Sequence, residues 1–148
     1  MLPGHLDRVP LVGDSENGKF PMPLVRIDLR RGKPREYRQA LADGVYEAMR
    51  EAIGIPENDR FIIVTEHDAD DLSYDRHYLG IERGDDFITV QIALRRGRAV
   101  EAKQALYRSI TERLARAPGV RPSDVLITLV ENGAEDWSFG DGIAQYVK

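Results

Sequence analysis

The stretch Val25-Arg26-Ile27-Asp28-Leu29-Arg30-Arg31-Gly32 returns later as Val90-Gln91-Ile92-Ala93-Leu94-Arg95-Arg96-Gly97, and this recurrence decides the fold. The same 65-residue shift lays Glu36, Gln39, Ala40 and Leu41 on Glu101, Gln104, Ala105 and Leu106. It continues without a gap to Gly54 on Gly119, Asp59 on Asp124 and Glu66 on Glu131. The chain is therefore an internal duplication, with halves at about 23–67 and 88–132.

The first copy can be read element by element. Val25, Ile27 and Leu29 alternate with Arg26 and Asp28, the period of a strand with one buried face. Pro34 suits the first turn of a helix, and Tyr37, Leu41, Val45, Met49 and Ile53 then recur every four residues as an apolar stripe. Gly54 and Pro56 close that helix. Phe61-Ile62-Ile63-Val64-Thr65, rich in β-branched residues, follows as a second strand. A helix of this length is a crossover, so the two strands of each half are expected to run parallel.

Two such halves predict an α/β fold (α+β in some schemes), with one four-stranded sheet and two helices on one face. The other face is left bare, and apolar residues on both sides of Phe61–Val64 predict that it is buried against further subunits. Residues 68–86 read as a long polar connection with a short hairpin strand around Tyr78-Leu79-Gly80-Ile81. Its aspartates lack the spacing of a calcium loop. The tail from Asn132 to Gly142 has no counterpart in the first half and holds the single tryptophan.

Composition sets the outer bounds. The chain has 148 residues, 42% hydrophobic and 31% charged, as in an ordinary soluble domain. Residues 22–148 read as that single domain, and 1–21, with their prolines and glycines, as a flexible extension or sequence upstream of the true start. Net charge −4 and a pI near 5.4 argue against a nucleic-acid partner. The chain contains no cysteine, which excludes disulfide and thiolate chemistry, and its 3 histidines are too scattered for a metal spacing. No stretch approaches the roughly 20 apolar residues of a membrane span. The leader lacks an apolar signal core, so a cytoplasmic protein is expected.

Met22-Pro23 opens the first strand and carries the chemical question. If the chain starts at Met22 and that residue is removed, Pro23 becomes a secondary amine at a terminus, able to act as base, acid or nucleophile near neutral pH. If the leader stays attached, the same nitrogen is a tertiary amide without useful basicity.

The strand beginning Met22-Pro23-Leu24, the repeated βαβ halves, Arg96-Gly97-Arg98 after the third strand and the late Asp136-Trp137-Ser138-Phe139-Gly140 together resemble the tautomerase superfamily. The likeness is to its malonate semialdehyde decarboxylase-like group and runs from Met22 to about Tyr146. It implies a homotrimer that needs no metal or organic cofactor. It also implies a catalytic N-terminal proline at Pro23, Asp59 beside it, and Arg96 and Arg98 holding the carboxylate of a small substrate. Trp137 and Phe139 fall where the family places aromatic walls. Arg95 is a weaker third contact, and Glu66 and His67 are further candidates for the same cavity. The histidine on which cis-3-chloroacrylic acid dehalogenases rely is missing from the helix between Pro34 and Ile53, which lowers the dehalogenase reading.

The residues alone leave bland alternatives in place. Arg31 and Lys33 stand at the repeat positions of Arg96 and Arg98, as expected of exposed basic turns. Asp124 repeats Asp59, as expected of a residue that shapes the entry to a strand. Trp137 and Phe139 also suit a packed C-terminal anchor. The function expected is turnover of a small 2- or 3-oxo acid or enol acid through Pro23, as a keto–enol tautomerase or a decarboxylase. The alternative is a non-catalytic trimeric scaffold or ligand-binding protein whose Pro23 is blocked by the leader. No nucleic-acid or membrane partner is expected.

Overall fold

The computed structural model describes residues 23–147; the expected leader and Met22 lie outside the described residues. The elements are β1 (Leu24–Arg30), α1 (Arg35–Ile53), β2 (Ile62–His67), β3 (Ile88–Arg95), α2 (Val100–Arg116) and β4 (Val125–Asn132). They form one sheet in the order β2-β1-β3-β4. β1 runs parallel to β2, β3 parallel to β4, and the two central strands run antiparallel.

The duplication is exact at the level of register. Val25 pairs with Ile62 and Arg30 with His67, and the shifted pairs Val90 with Ile127 and Arg95 with Asn132 appear in the second half. The turns after β1 and β3 also match. Arg31 N–H donates to the His67 carbonyl at 2.7 Å, and Arg96 N–H donates to the Asn132 carbonyl at 2.8 Å. Gly32 and Gly97 follow with φ of 126° and 128°, a backbone region open to glycine and strained for other residues.

Alternation along the strands produces the core. Val25, Ile27 and Leu29 of β1 and Ile88, Val90, Ile92 and Leu94 of β3 are buried together with Leu41, Val45 and Met49 of α1 and Leu106, Ile110 and Leu114 of α2. Each such side chain contributes about 1.5–3 kcal/mol by leaving water. Both helices therefore cover the same sheet face. Gly44 lets them approach closely, since a Cβ there would stand 2.7 Å from Leu114 Cδ2.

The opposite face is mixed in character. Leu24, Ile63, Leu126 and Val130 are exposed on it, but Arg26 and Gln91 face each other between them, and Asp28 Oδ1 meets His67 Nε2 at 2.6 Å. Apolar residues thus lie mainly toward the edge strands, with polar side chains along the centre.

Two local expectations differ from the structure. Pro34 precedes the first helical residue, with φ −70° and ψ 164°. The hairpin strand expected around Tyr78 is a 3₁₀ turn, Tyr78–Gly80, with Leu79 at φ 62°. The Arg83 guanidinium explains this: its Nη1 donates to the carbonyls of Asp75, Tyr78 and Ile81 at 3.3, 3.0 and 3.3 Å, gathering the chain into a loop.

Candidate functional site

A cleft of about 460 Å³ opens where β1 begins and β3 and β4 end. Leu24, Phe61, Ala93, Asn132, Asp136, Trp137, Ser138 and Phe139 line it. The strand register assembles this set: Leu24 lies opposite Ala93, and Val25 N–H donates to the Phe61 carbonyl at 2.9 Å. Beyond β4 the chain turns through Ala134–Asp136, where Asp136 Oδ2 accepts Gly133 N–H at 2.9 Å. That turn brings Trp137 and Phe139 back over the sheet.

The aromatic wall is continuous. Trp137 and Phe139 stack with ring centroids 5.3 Å apart, Phe139 meets Phe61 at 6.3 Å, and Tyr146 packs edge-on to Phe139 at 5.8 Å. Indole Nε1 of Trp137 donates to Asn132 Oδ1 at 2.6 Å, which fixes the wall to the end of β4.

A charged cluster adjoins this apolar pocket. Asp59 is buried, 9% exposed, in the turn before β2, where its N–H donates to the Pro56 carbonyl at 3.1 Å. The Tyr46 hydroxyl of α1 donates to the carbonyl of Glu57 in the same turn. Burial pushes the Arg98 guanidinium down to about 10, against the opposing pull of Glu131 and Asp59 and with Arg95 adding to the depression. Burial first and the Asp59 carboxylate second push the Tyr146 phenol above its ordinary value, with Arg95 opposing. Asp59, Arg95, Arg98 and Tyr146 are thus electrostatic neighbours, and Arg98 Nη1 donates to the Arg95 carbonyl at 3.0 Å.

The six residues singled out in the sequence fall into three groups. Trp137 and Phe139 line the cleft. Asp59 and Arg98 meet in the charged cluster beside it. Pro23 is buried immediately before the cleft residue Leu24, and Arg96 is exposed in the turn hydrogen-bonded to Asn132. Glu66 and His67 lie at the far end of the sheet beside Leu29 and Arg30, about 20 Å from Leu24 at roughly 3.3 Å per strand residue. Sequence reasoning missed Asn132, Phe61 and Tyr146. Tyr146 lies beyond the repeat, so its only signal was being a further aromatic in the unmatched tail.

The duplicated end of the molecule is built differently. Arg31 pairs with Asp68 at 2.8 Å and Glu66 at 3.8 Å, and Lys33 pairs with Asp86 at 2.8 Å. Asp124, the repeat of Asp59, accepts Gly84 N–H at 2.7 Å and is held by Arg121. Carboxylates of the connecting loop thus occupy the cations there. Among the described residues Arg96 makes no ion pair within 4.0 Å, and no group of three or more His, Cys, Asp or Glu is placed to hold a metal ion. No helix among them is long and apolar enough to cross a membrane.

Comparison with known proteins places this geometry. A family described as "Tautomerase enzyme" matches residues 59–140, and a second family of the same description matches residues 23–79. Probable tautomerase YusQ of Bacillus subtilis (strain 168) is 41% identical over 127 residues, covering 86% of this chain and 100% of that protein. The crystal structure of FG41 malonate semialdehyde decarboxylase inhibited by 3-bromopropiolate is similar at 44% identity and a TM-score of 0.78, over 83% of this chain and 93% of that one. A wild-type fused 4-OT, a symmetric trimer, shares the fold at 23% identity and a TM-score of 0.68, over 81% and 94% of the two chains. The chain belongs to the tautomerase superfamily, in its malonate semialdehyde decarboxylase-like group.

Proposed function

We propose that this protein turns over a short 2- or 3-oxo acid, or its enol, by proton transfer through an N-terminal Pro23, working as a cytoplasmic homotrimer. Arg98, with Arg96 at the rim, holds the substrate carboxylate, because guanidinium forks bind carboxylates through two parallel hydrogen bonds. The observation that carries this reading is the cluster of Asp59, Arg98 and Tyr146 against the apolar wall of Trp137 and Phe139. A partly buried cation beside an apolar cleft is poised for a small anion with a carbon skeleton.

A terminal α-amine titrates at about 7.7–8.0 in isolation, and neighbouring arginines lower it. Neutral Pro23 removes a proton from carbon next to the substrate carbonyl, and the electron pair moves onto oxygen as an enolate. Returning the proton to oxygen or to another carbon completes a tautomerisation. For a 3-oxo acid, protonated Pro23 polarises the carbonyl, the bond to the carboxylate breaks, and departing carbon dioxide leaves the electron pair in the enolate of the one-carbon-shorter carbonyl compound. Both versions use the same residues and need no metal or organic cofactor. Asp59 holds water or tunes the amine, and the aromatic wall excludes bulk solvent.

The test is turnover of phenylenolpyruvate and malonate semialdehyde by protein beginning at Pro23, compared with protein retaining the leader, Pro23→Ala and Arg98→Met. Activity is expected only in the first. Equal rates with the leader attached would remove Pro23 from the mechanism, and unchanged kinetics for Arg98→Met would remove the carboxylate clamp.

A further inference from the structure

The cleft exists where the two halves differ. The repeat lays Ala93 on Asp28 and Asn132 on His67, and the matched registers put each pair on the same backbone frame and the same sheet face. In the first half the Asp28 carboxylate fills the space beside His67 and bonds its Nε2 at 2.6 Å. In the second half Ala93 has only a methyl group. The space beside Asn132 is open, and Ala93 and Asn132 both line the cleft.

The orientation of Asn132 follows from its partner. An indole N–H can only donate, so the atom 2.6 Å from Trp137 Nε1 is the amide oxygen. The NH₂ arm points elsewhere, and among the described residues it has no acceptor. The other polar groups of the cleft are engaged locally: Asp136 accepts from Gly133 N–H, and Ser138 Oγ donates to the Gly140 carbonyl at 3.4 Å. Asn132 is therefore a donor held in place by the aromatic wall.

We propose that Asn132 Nδ2 binds the second oxygenated group of the substrate, the one at the opposite end from the carboxylate, with that oxygen standing where Asp28 places its carboxylate in the first half. Asn132 then selects acids oxygenated at both ends over acids with a plain hydrocarbon end. The ligand class is a three- or four-carbon oxo acid, its enolate or its hydrate. This assignment rests on the acid-binding reading of Arg98 given above. The first half supplies the precedent within the molecule, a carboxylate oxygen hydrogen-bonded to the side chain at the equivalent strand position.

The test uses quenching of the single tryptophan, Trp137, by malonate and by propionate, which differ in the second oxygenated group. Wild-type protein is expected to bind malonate about tenfold more tightly, the worth of one charge-assisted hydrogen bond. Asn132→Asp keeps an acceptor for the indole and replaces the donor with an anion, so the preference should vanish or invert. Asn132→His, which installs the residue of the first half, should keep a donor and retain the preference. Arg98→Met should weaken both acids together. An unchanged malonate-to-propionate ratio in Asn132→Asp would overturn the assignment and leave the acid-binding reading standing. Failure of wild-type protein to bind either acid would overturn that reading, and the assignment with it.

Discussion

The carboxylate of Asp124 accepts the backbone N–H of Gly84 at 2.7 Å, joining the loop between the halves to the turn that enters β4. Asp59, its repeat partner, sits instead among Arg98 and Tyr146. Both residues close the same backbone turn, Asp59 N–H onto Pro56 and Asp124 N–H onto Arg121. Their side chains have diverged, so their substitutions should separate. Asp124→Ala strands a backbone donor and frees Arg121, costing about 2–3 kcal/mol of stability, read as a lower urea midpoint with turnover per folded molecule kept. Asp59→Asn should lower turnover about 100-fold or more with a smaller loss in the same urea titration.

Gly44 marks a close approach of the two helices, where a Cβ would meet Leu114 Cδ2 at 2.7 Å. Leu114 is fully buried, so it has little room to give way. Gly44→Val should destabilise by about 1–3 kcal/mol through overpacking. Thermal melting of the variant beside Leu114→Ala and the double variant checks the cause: the pair should be non-additive, because the smaller residue opens the space that valine needs.

Burial raises the phenols of Tyr37 and Tyr146 above the ordinary tyrosine value, with Lys33 opposing the shift at Tyr37 and Asp59 reinforcing it at Tyr146. In the unfolded chain both lose their protons at about pH 10. Below that pH neither state is ionised there and the native state keeps its full advantage. Above it the unfolded chain ionises first, and stability is lost as pH rises through the native values. Urea midpoints measured from pH 8 to 11 should fall less steeply for Tyr37→Phe/Tyr146→Phe than for wild type.

The sheet face without helices exposes Ile63 and Val130 on its outer strands, at 43% and 46%. If that face packs against other copies, burying a charge there opposes assembly. Ile63→Glu/Val130→Glu should shift the protein in light scattering from about three times its chain mass to the 16.7 kDa of one chain. An unchanged mass would mean that these two edges lie outside the interface.

The repeat made the fold legible, because matched residues such as Val25 with Val90 and Gly32 with Gly97 report a shared backbone. The cleft was less legible for the same reason. A search for matches passes over Asp28 against Ala93, and that mismatch is where the cavity opens. Arg96 and Arg98 looked equivalent to Arg31 and Lys33 because sequence shows the cations without their partners. Asp68 and Asp86, which distinguish the two ends, approach Arg31 and Lys33 only through the folded loop. The sequence at Tyr78–Gly80 resembles a strand because its exposed apolar residues carry strand propensity, while the Arg83 guanidinium that shapes the turn lies further along the chain.

The ion pairs of Arg31 and Lys33 with the connecting loop have a consequence for how such a protein can diversify. A polypeptide has one amino terminus, so a reaction that needs a terminal amine is available once per chain however many times the scaffold is copied. The position equivalent to Pro23 is Ile88, inside β3. At that end Arg31 and Lys33 act as cleats for the chain that links the copies. Duplication thus divides the work: a reaction at a terminal amine would constrain one end only, and the other is free to hold the molecule together.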